Sequence, residues 1–329
     1  MVDLHSLVPL PNIWDSMLQV ETRLLEVTTS PHVRLTEMAQ HLIRAGGKRY
    51  RPLLTLLGAE FGPNPDYRAV EAATSVELIH LGSLYHDDVI DEADTRRGAV
   101  SVNANWSNTV AILAGDYLMA RSAENAATHL TLESARLLAA TYADLVEGQT
   151  REMGFDFDTK HSPTDYEKVM YLKTGSLIRT SARVGAMSSD APQEVIEAVS
   201  EWATELGIVF QIVDDILDLV ASSDSLGKPA GSDILEGKFT LPVLMALEGS
   251  SGAEVRSLLD SPHPYSQDLV DRVVEIVRNQ GYLTASLDAA AAHLDRAATA
   301  ASSLPDRPAK EVLSGLGNWL LDRVASVSA

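Results

Sequence analysis

No cysteine occurs among the 329 residues, which excludes disulfides, thiolate zinc sites, iron–sulfur clusters and cysteine nucleophiles. Any metal must be held by oxygen or imidazole. Positive charge is scarce: 26 Lys and Arg against 46 Asp and Glu give −20, a field that repels nucleic acid and acidic membrane surfaces. No nucleic-acid partner is expected. Long apolar runs are missing too, since the longest uncharged stretch, residues 98–115, contains Ser101, Asn103, Asn105, Ser107, Asn108 and Thr109, which hydrocarbon would penalise. No transmembrane segment is expected. The N-terminal residues show neither a basic stretch leading into an apolar core nor the Arg and Ser enrichment of a transit peptide, so a cytoplasmic location is expected.

What remains is an ordinary globular composition, 45% hydrophobic and 22% charged, with no Gly/Ser linker and no solenoid repeat. One domain across residues 1–329 is expected. Apolar residues recur at three- and four-residue intervals, as in Ala69, Ala72, Ala73, Val76 and Ile79, and β-branched alternation is almost missing. The spacing predicts an all-α protein with roughly a dozen helices. Ser30-Pro31 opens one segment and the GPNP of residues 62–65 separates two others. Segments 76–85 and 206–220 are apolar on more than one side, which predicts central helices in a single large bundle.

Two acidic clusters interrupt these apolar helices with one spacing: Asp87, Asp88 and Asp91, then Asp214, Asp215 and Asp218. Both read DDxxD. At about 100° per residue each cluster falls within an arc of about 100°, a carboxylate patch on one helix face. Each lies toward the end of its apolar run, where the helix dipole opposes anions. Such patches raise their own pKa values or demand a cation, and an oxygen-only donor set selects Mg²⁺ or Ca²⁺. Mg²⁺ bridging to a phosphate is the economical answer, and two patches across a core would form a facing pair of metal sites. A di-iron centre needs Glu-x-x-His on two helices; the pattern occurs once, at Glu77 and His80.

Basic residues gather in a few places: residues 46–51, Arg96-Arg97-Gly98, Lys173-Thr174-Gly175-Ser176, and around Lys228 and Lys238. Lys offers a point charge and Arg a planar fork for phosphate oxygens, and adjacent glycines let backbone N–H groups approach. The stretch GSDILEGK (231–238) is no P-loop, having five residues between its glycines and Phe239 where Ser or Thr is required.

Taken together, GGKRYRP (46–52), LYHDDVIDEADTRRG (84–98), KTGS (173–176), GIVFQIVDDILD (207–218) and GKPAGSDILEGKFTLP (227–242) resemble the trans-isoprenyl diphosphate synthases of the polyprenyl synthetase family, in family order and over nearly the whole chain. The resemblance implies the isoprenoid-synthase bundle with a central active-site cavity. It implies that Lys48, Arg51, His80 and Arg97 hold the diphosphate of isopentenyl diphosphate. Arg96, Lys173, Thr174, Gln211, Lys228 and Lys238 would hold the allylic prenyl diphosphate, and of these Lys173, Gln211, Lys228 and Lys238 are the catalytic candidates. Asp87, Asp91, Asp214 and Asp218 would ligate three Mg²⁺, with Asp88 and Asp215 supporting them. The family is generally homodimeric, and release of a long apolar product would call for transient membrane or detergent contact.

The allylic tail would run down the helix that carries the first DDxxD, past Ser83, Gly82 and Ile79. Ser83 lies about 6 Å and Ile79 about 12 Å deeper than Asp87 at 1.5 Å per residue. Relatives that stop at three or four isoprene units floor this pocket with an aromatic, and none stands here, so a product of about six to ten units is expected. Tyr85 falls on another face and reads as core. The alternatives are a short-chain farnesyl or geranylgeranyl diphosphate synthase and a non-catalytic partner subunit. A terpene cyclase fits less well, because the chain repeats DDxxD and its aromatics total only 5%.

Overall fold

The computed structural model describes residues 4–220 and 230–328, with side chains described as far as Val324. Lys228, one of the expected anion-binding residues, lies outside the described residues. The chain opens with α1 (Leu4–Leu7), α2 (Pro11–Val27), α3 (Val33–Arg44), α4 (Tyr50–Ala59) and α5 (Tyr67–Ile90). A two-stranded antiparallel pair follows, β1 (Thr95–Arg96) and β2 (Ala99–Val100), with Thr95 opposite Val100. Next come α6 (Val102–Asn105), α7 (Asn108–His129), α8 (Leu132–Met153) and α9 (Pro163–Met170), then a π turn (Tyr171–Gly175) leading into α10 (Ser176–Ser188) and α11 (Gln193–Val220). After the undescribed stretch come α12 (Ser232–Leu235), α13 (Leu241–Glu248), α14 (Gly252–Leu259), α15 (Gln267–Asn279), α16 (Tyr282–Ser302) and α17 (Pro308–Ser328).

The all-α expectation holds, and the helices outnumber the dozen expected because α1, α6 and α12 are four-residue turns too short to carry a periodic signal. Helix starts follow local chemistry. The Asp66 carboxylate accepts from the Arg68 N–H at 2.8 Å to begin α5, and Ser162 and Asp165 form a reciprocal capping box ahead of Pro163 at α9. Ser30-Pro31 precedes α3 by a short turn, whose cap is His32.

Two helices run through the middle, as their apolar composition requires. The α5 helix packs on α7, α4, α10 and α2, and α11 packs on α16, α10 and α17. Between them α4 and α10 meet backbone to backbone. A β carbon on Gly58 would stand 2.2 Å from the Ala182 carbonyl oxygen, and one on Gly185 only 1.9 Å from that of Thr55. Side chains on either glycine would separate the layers that position α5 against α11. Beside the main core lies a smaller apolar cluster of Ala72, Val76, Ile79, Ala126, Leu138, Leu145, Leu177 and Val184, contributed by α5, α7, α8 and α10. Both DDxxD segments reach the ends of their helices, Asp91 capping α5 and Asp218 two residues short of the end of α11. No helix among the described residues is long and apolar enough to cross a membrane.

Candidate functional site: two anion-facing regions and an apolar cavity

The Gly46-Gly47-Lys48-Arg49 loop turns the chain into α4 through positive φ values at Gly46 and Arg49. Gly47, at a φ of +150° that favours glycine, lies against the Arg97 guanidinium, where a β carbon would stand 2.7 Å from Nη1. Arg97 comes from the β1–β2 turn and donates to the Gly46 carbonyl at 2.7 Å. Loop and hairpin thereby close one cavity of about 330 Å³, lined by Lys48, Arg51, His80 and Arg97 together with Tyr50, Phe210 and Trp319.

Arg51 Nη1 lies 3.0 Å from His80 Nε2. Burial, followed by the cations of Arg51 and Arg97, holds His80 well below its ordinary pKa, so the ring is neutral and accepts from Arg51. Burial also lowers Arg51, to about 10, leaving it charged at neutral pH. Glu77 sits behind them, almost wholly buried, accepting from Arg49 at 3.0 Å and lying 3.7 Å from Arg97. Arg49 is anchored in turn by Glu21 at 2.5 Å and the Ile43 carbonyl at 2.9 Å. Arg49, Glu77 and Arg323 were not among the expected site residues. Arg49 was visible in the basic run and Glu77 as the residue three before His80, whereas nothing local marks Arg323 on α17. Three buried polar atoms of this cavity have no hydrogen-bond partner: Tyr50 Oη, Arg51 Nε and Glu77 Oε2.

The second region is a crevice of about 190 Å³ whose lining includes Lys173, Gln211, Asp215 and Lys238 together with Glu152 and Asp156. Lys173 and Thr174 occupy the π turn, wedged between two glycines. A β carbon on Gly148 of α8 would stand 2.7 Å from the Lys173 nitrogen, and one on Gly207 of α11 would stand 2.8 Å from Gly175 Cα. Such a widened turn inside a helical run is a frequent mark of a functional position. Thr174 donates to Gln211 at 3.1 Å, and Gln211 donates to Asp215 Oδ1 at 2.8 Å. The buried Tyr166 phenol donates to Asp215 Oδ2. Lys173 pairs with Glu152, and Lys238 stands 3.4 Å from Asp91 and 2.9 Å from Glu236. Burial pulls the Lys238 pKa down, but Glu236 and Asp91 outweigh it and leave it raised.

The six aspartates diverge within their shared spacing. Asp88 is fully buried and accepts at Oδ1 from Arg96 Nε and Nη2, both at 2.6 Å, while its Oδ2 has no partner. Burial, opposed by Lys173 and reinforced by Asp91, raises Asp87 to about 6. Asp215 is held well above its ordinary value by burial and then by Asp233. Asp218 accepts from the Ser232 hydroxyl at 2.7 Å and the Asp233 N–H at 3.3 Å, and Asp214 lies 3.1 Å from Arg323. Among the described residues, no three Asp, Glu or His side chains converge closely enough to hold an ion unaided. The expected Mg²⁺, bridging to a phosphate, takes part of its oxygens from that ligand. Arg96 and Tyr166 engage Asp88 and Asp215, the two aspartates expected to support the others, while Ser232 and Arg323 engage Asp218 and Asp214.

A third cavity, about 260 Å³, adjoins the crevice through Lys173 and is lined by Ser83, His86, Asp87, Tyr142, Leu145 and Met153, among others. Of the three residues expected along the tail, only Ser83 lines it. Gly82 faces α7 instead, where a β carbon would meet Met119 Cε at 2.8 Å, and Ile79 is buried in the small apolar cluster that shares Leu145 and Tyr142 with the cavity. Tyr85 is core, its hydroxyl donating to the Met38 carbonyl at 2.8 Å.

The residues fit a divalent cation shared with a phosphate ligand. All donors are oxygens, the unpartnered Asp88 Oδ2 and the raised Asp87 mark uncompensated acidity, and Mg²⁺ is usually bound by one or two carboxylates plus substrate phosphates.

The polyprenyl synthetase family model matches residues 32–277. A nonaprenyl diphosphate synthase of Mycobacterium tuberculosis is 42% identical over 292 residues, 88% of this chain and 87% of its own. The crystal structure of a decaprenyl diphosphate synthase from Rhodobacter capsulatus superposes with a TM-score of 0.90 at 33% identity, covering 95% of this chain and 98% of the other. That of geranylgeranyl pyrophosphate synthase from Corynebacterium glutamicum, complexed with calcium and isoprenyl diphosphate, gives 0.84 at 39% identity, covering 95% and 96%.

Proposed function

Because this chain belongs to the polyprenyl synthetase family and is a divalent-metal-dependent prenyltransferase, we propose that it joins isopentenyl diphosphate head to tail with an allylic prenyl diphosphate, building a trans-polyprenyl diphosphate of about six to ten isoprene units. One observation carries the reading: Lys173 lines both the charged crevice and the apolar cavity along α5. A diphosphate held at Lys173 directs its hydrocarbon past Ser83 toward the cluster around Ile79. No aromatic lies at Ser83 or Gly82, and long-chain names among the similar proteins support the longer product.

Lys48, Arg51, His80 and Arg97 hold the isopentenyl diphosphate, with neutral His80 fixing the Arg51 guanidinium and Glu77 fixing Arg49. Arg96, Lys173, Thr174, Gln211, Lys228 and Lys238 serve the allylic diphosphate; Arg96 does so through Asp88, which it pairs. Asp87, Asp91, Asp214 and Asp218 hold Mg²⁺, three ions by family resemblance, with Asp88 and Asp215 orienting their neighbours. When bound, Mg²⁺ neutralises the diphosphate as it leaves. Lys173 and Lys238 stabilise the same developing charge as the allylic C–O bond breaks, in a geometry set before reaction. The isopentenyl double bond, held by its own cavity, then attacks the allylic carbon, and a proton departs to the released diphosphate. Exposed Ile112 and Leu113 on α7 and Leu132 on α8 support a homodimer built on these helices.

Incubating the purified chain with Mg²⁺, isopentenyl diphosphate and geranyl, farnesyl or geranylgeranyl diphosphate, then sizing the dephosphorylated products, tests the reading. A ladder ending at six or more units is expected. Termination at three or four units contradicts the chain-length assignment, and no product with any starter contradicts the synthase.

A further inference from the structure

Tyr50 sits between Arg49 and Arg51 at the start of α4 and belongs to neither of their networks. Arg49 turns to Glu21 and Glu77, and Arg51 turns to His80. The Tyr50 ring packs against Phe210 at 5.6 Å between centroids, and the residue is 9% exposed. Its hydroxyl is buried and hydrogen-bonded to nothing, and the residue is one of those that line the cationic cavity. Buried hydroxyls without partners are uncommon, because each has lost its water without compensation.

The surroundings define what could complete it. Arginines are donors only, so neither Arg51 nor Arg323, the cations that bear on this phenol, can accept its proton. The carboxylates lining the cavity do not supply the acceptor either. Asp214 is paired with Arg323, and Glu77 Oε2 is itself without a partner, so it does not meet Tyr50. Burial keeps the phenol protonated, hence a donor. A protonated donor without an acceptor, in a cavity lined by Lys48, Arg51 and Arg97, suits an anionic oxygen.

Resting on the reading above, we propose that the Tyr50 hydroxyl is a further binding group for isopentenyl diphosphate, donating to a diphosphate oxygen beside Arg51. The same hydroxyl is an uncompensated burial in the empty protein and a charge-assisted hydrogen bond in the complex. Removing only that oxygen therefore has two opposite consequences. Tyr50→Phe keeps the ring against Phe210 and spares the free protein its unmet donor, so its thermal midpoint stays equal or rises. Binding weakens at the same time, by about tenfold to a hundredfold on the usual worth of a hydrogen bond to a charged partner.

The experiment is calorimetric titration of wild type and Tyr50→Phe with isopentenyl diphosphate and, separately, inorganic pyrophosphate, both without divalent metal, alongside steady-state kinetics with Mg²⁺ and thermal melting. The inference expects matched losses of affinity for both ligands, a KM for isopentenyl diphosphate raised in step, and an allylic KM within twofold of wild type. Unchanged affinity for isopentenyl diphosphate overturns it, as does a loss confined to isopentenyl diphosphate and not shared by pyrophosphate. A lowered thermal midpoint with unchanged affinity assigns the hydroxyl to the fold and also overturns it. Wild type that binds no isopentenyl diphosphate and forms no product refutes the synthase reading instead, so the two failures are separable.

Discussion

In the proposed reading the cavity around Arg51 and the crevice around Lys173 take the same kind of ligand group with opposite electrostatics. In the first, Lys48, Arg49, Arg51, Arg97 and Arg323 outnumber Glu77 and Asp214, and His80 is held neutral. In the second, Glu152, Asp156, Asp215 and Asp233 outnumber Lys173 and Lys238. A diphosphate can enter the first on protein charge alone, whereas the second repels it until divalent cations reverse the sign. Within one acidic protein that difference would separate a metal-free site from a metal-dependent one. It also accounts for Asp87 and Asp215, which burial raises above their ordinary values where no counter-ion compensates them.

Replacing Asp87 with Asn should break the contrast most severely. It removes a carboxylate that lines the apolar cavity together with Lys173, and kcat/KM should fall about a hundredfold or more, with a higher Mg²⁺ requirement and unchanged metal-free binding of isopentenyl diphosphate. Smaller but more selective is Tyr166→Phe. It withdraws a donor from Asp215 without touching the cationic cavity, and should cost about tenfold in kcat/KM and raise the Mg²⁺ concentration at half-maximal rate.

Acidity sharpens the same comparison. Asp87 is raised to about 6, so lowering the pH through 6 protonates it, and the half-saturating Mg²⁺ concentration should rise severalfold between pH 7.5 and 5.5. The metal-free fold responds in the other direction. A carboxyl raised above its unfolded value contributes stability that is present at low pH and lost as pH climbs through about 6, so the thermal midpoint without metal should increase on acidification over that range. In the cationic cavity His80 is already neutral and Arg51 stays charged until about 10, so affinity for isopentenyl diphosphate should vary less than twofold between pH 7 and 8.5. Ser83→Phe should change the rate least and the product most. It places a ring in the cavity beside Tyr142 and should shorten the product, read from the chromatographic ladder, with both diphosphate affinities preserved.

Much of this was legible in the sequence because it is local. Helical periodicity gave the all-α bundle and both central helices, and the family resemblance grouped Lys48, Arg51, His80 and Arg97, which line one cavity. The partners of each aspartate were not legible, because they are long-range. Tyr166 reaches Asp215 across 49 residues, and Arg323 reaches Asp214 from α17, beyond any local pattern. The π turn at Lys173 also escaped, since it depends on Gly148 and Gly207 approaching from two other helices. Gly82 was assigned to the wrong surface for a related reason. Helical arithmetic gives its depth along α5, but only the packing of α7 shows that its open side is already filled by Met119.

Calorimetry in the presence and absence of Mg²⁺ tests the contrast most directly, with isopentenyl diphosphate and a non-reactive thio-analogue of farnesyl diphosphate titrated separately into the chelator-treated protein. Binding of isopentenyl diphosphate without metal, and of the allylic analogue only after Mg²⁺ is added, is the expected result. Tight metal-free binding of the allylic analogue, or a metal requirement for isopentenyl diphosphate, would contradict the division between the two sites.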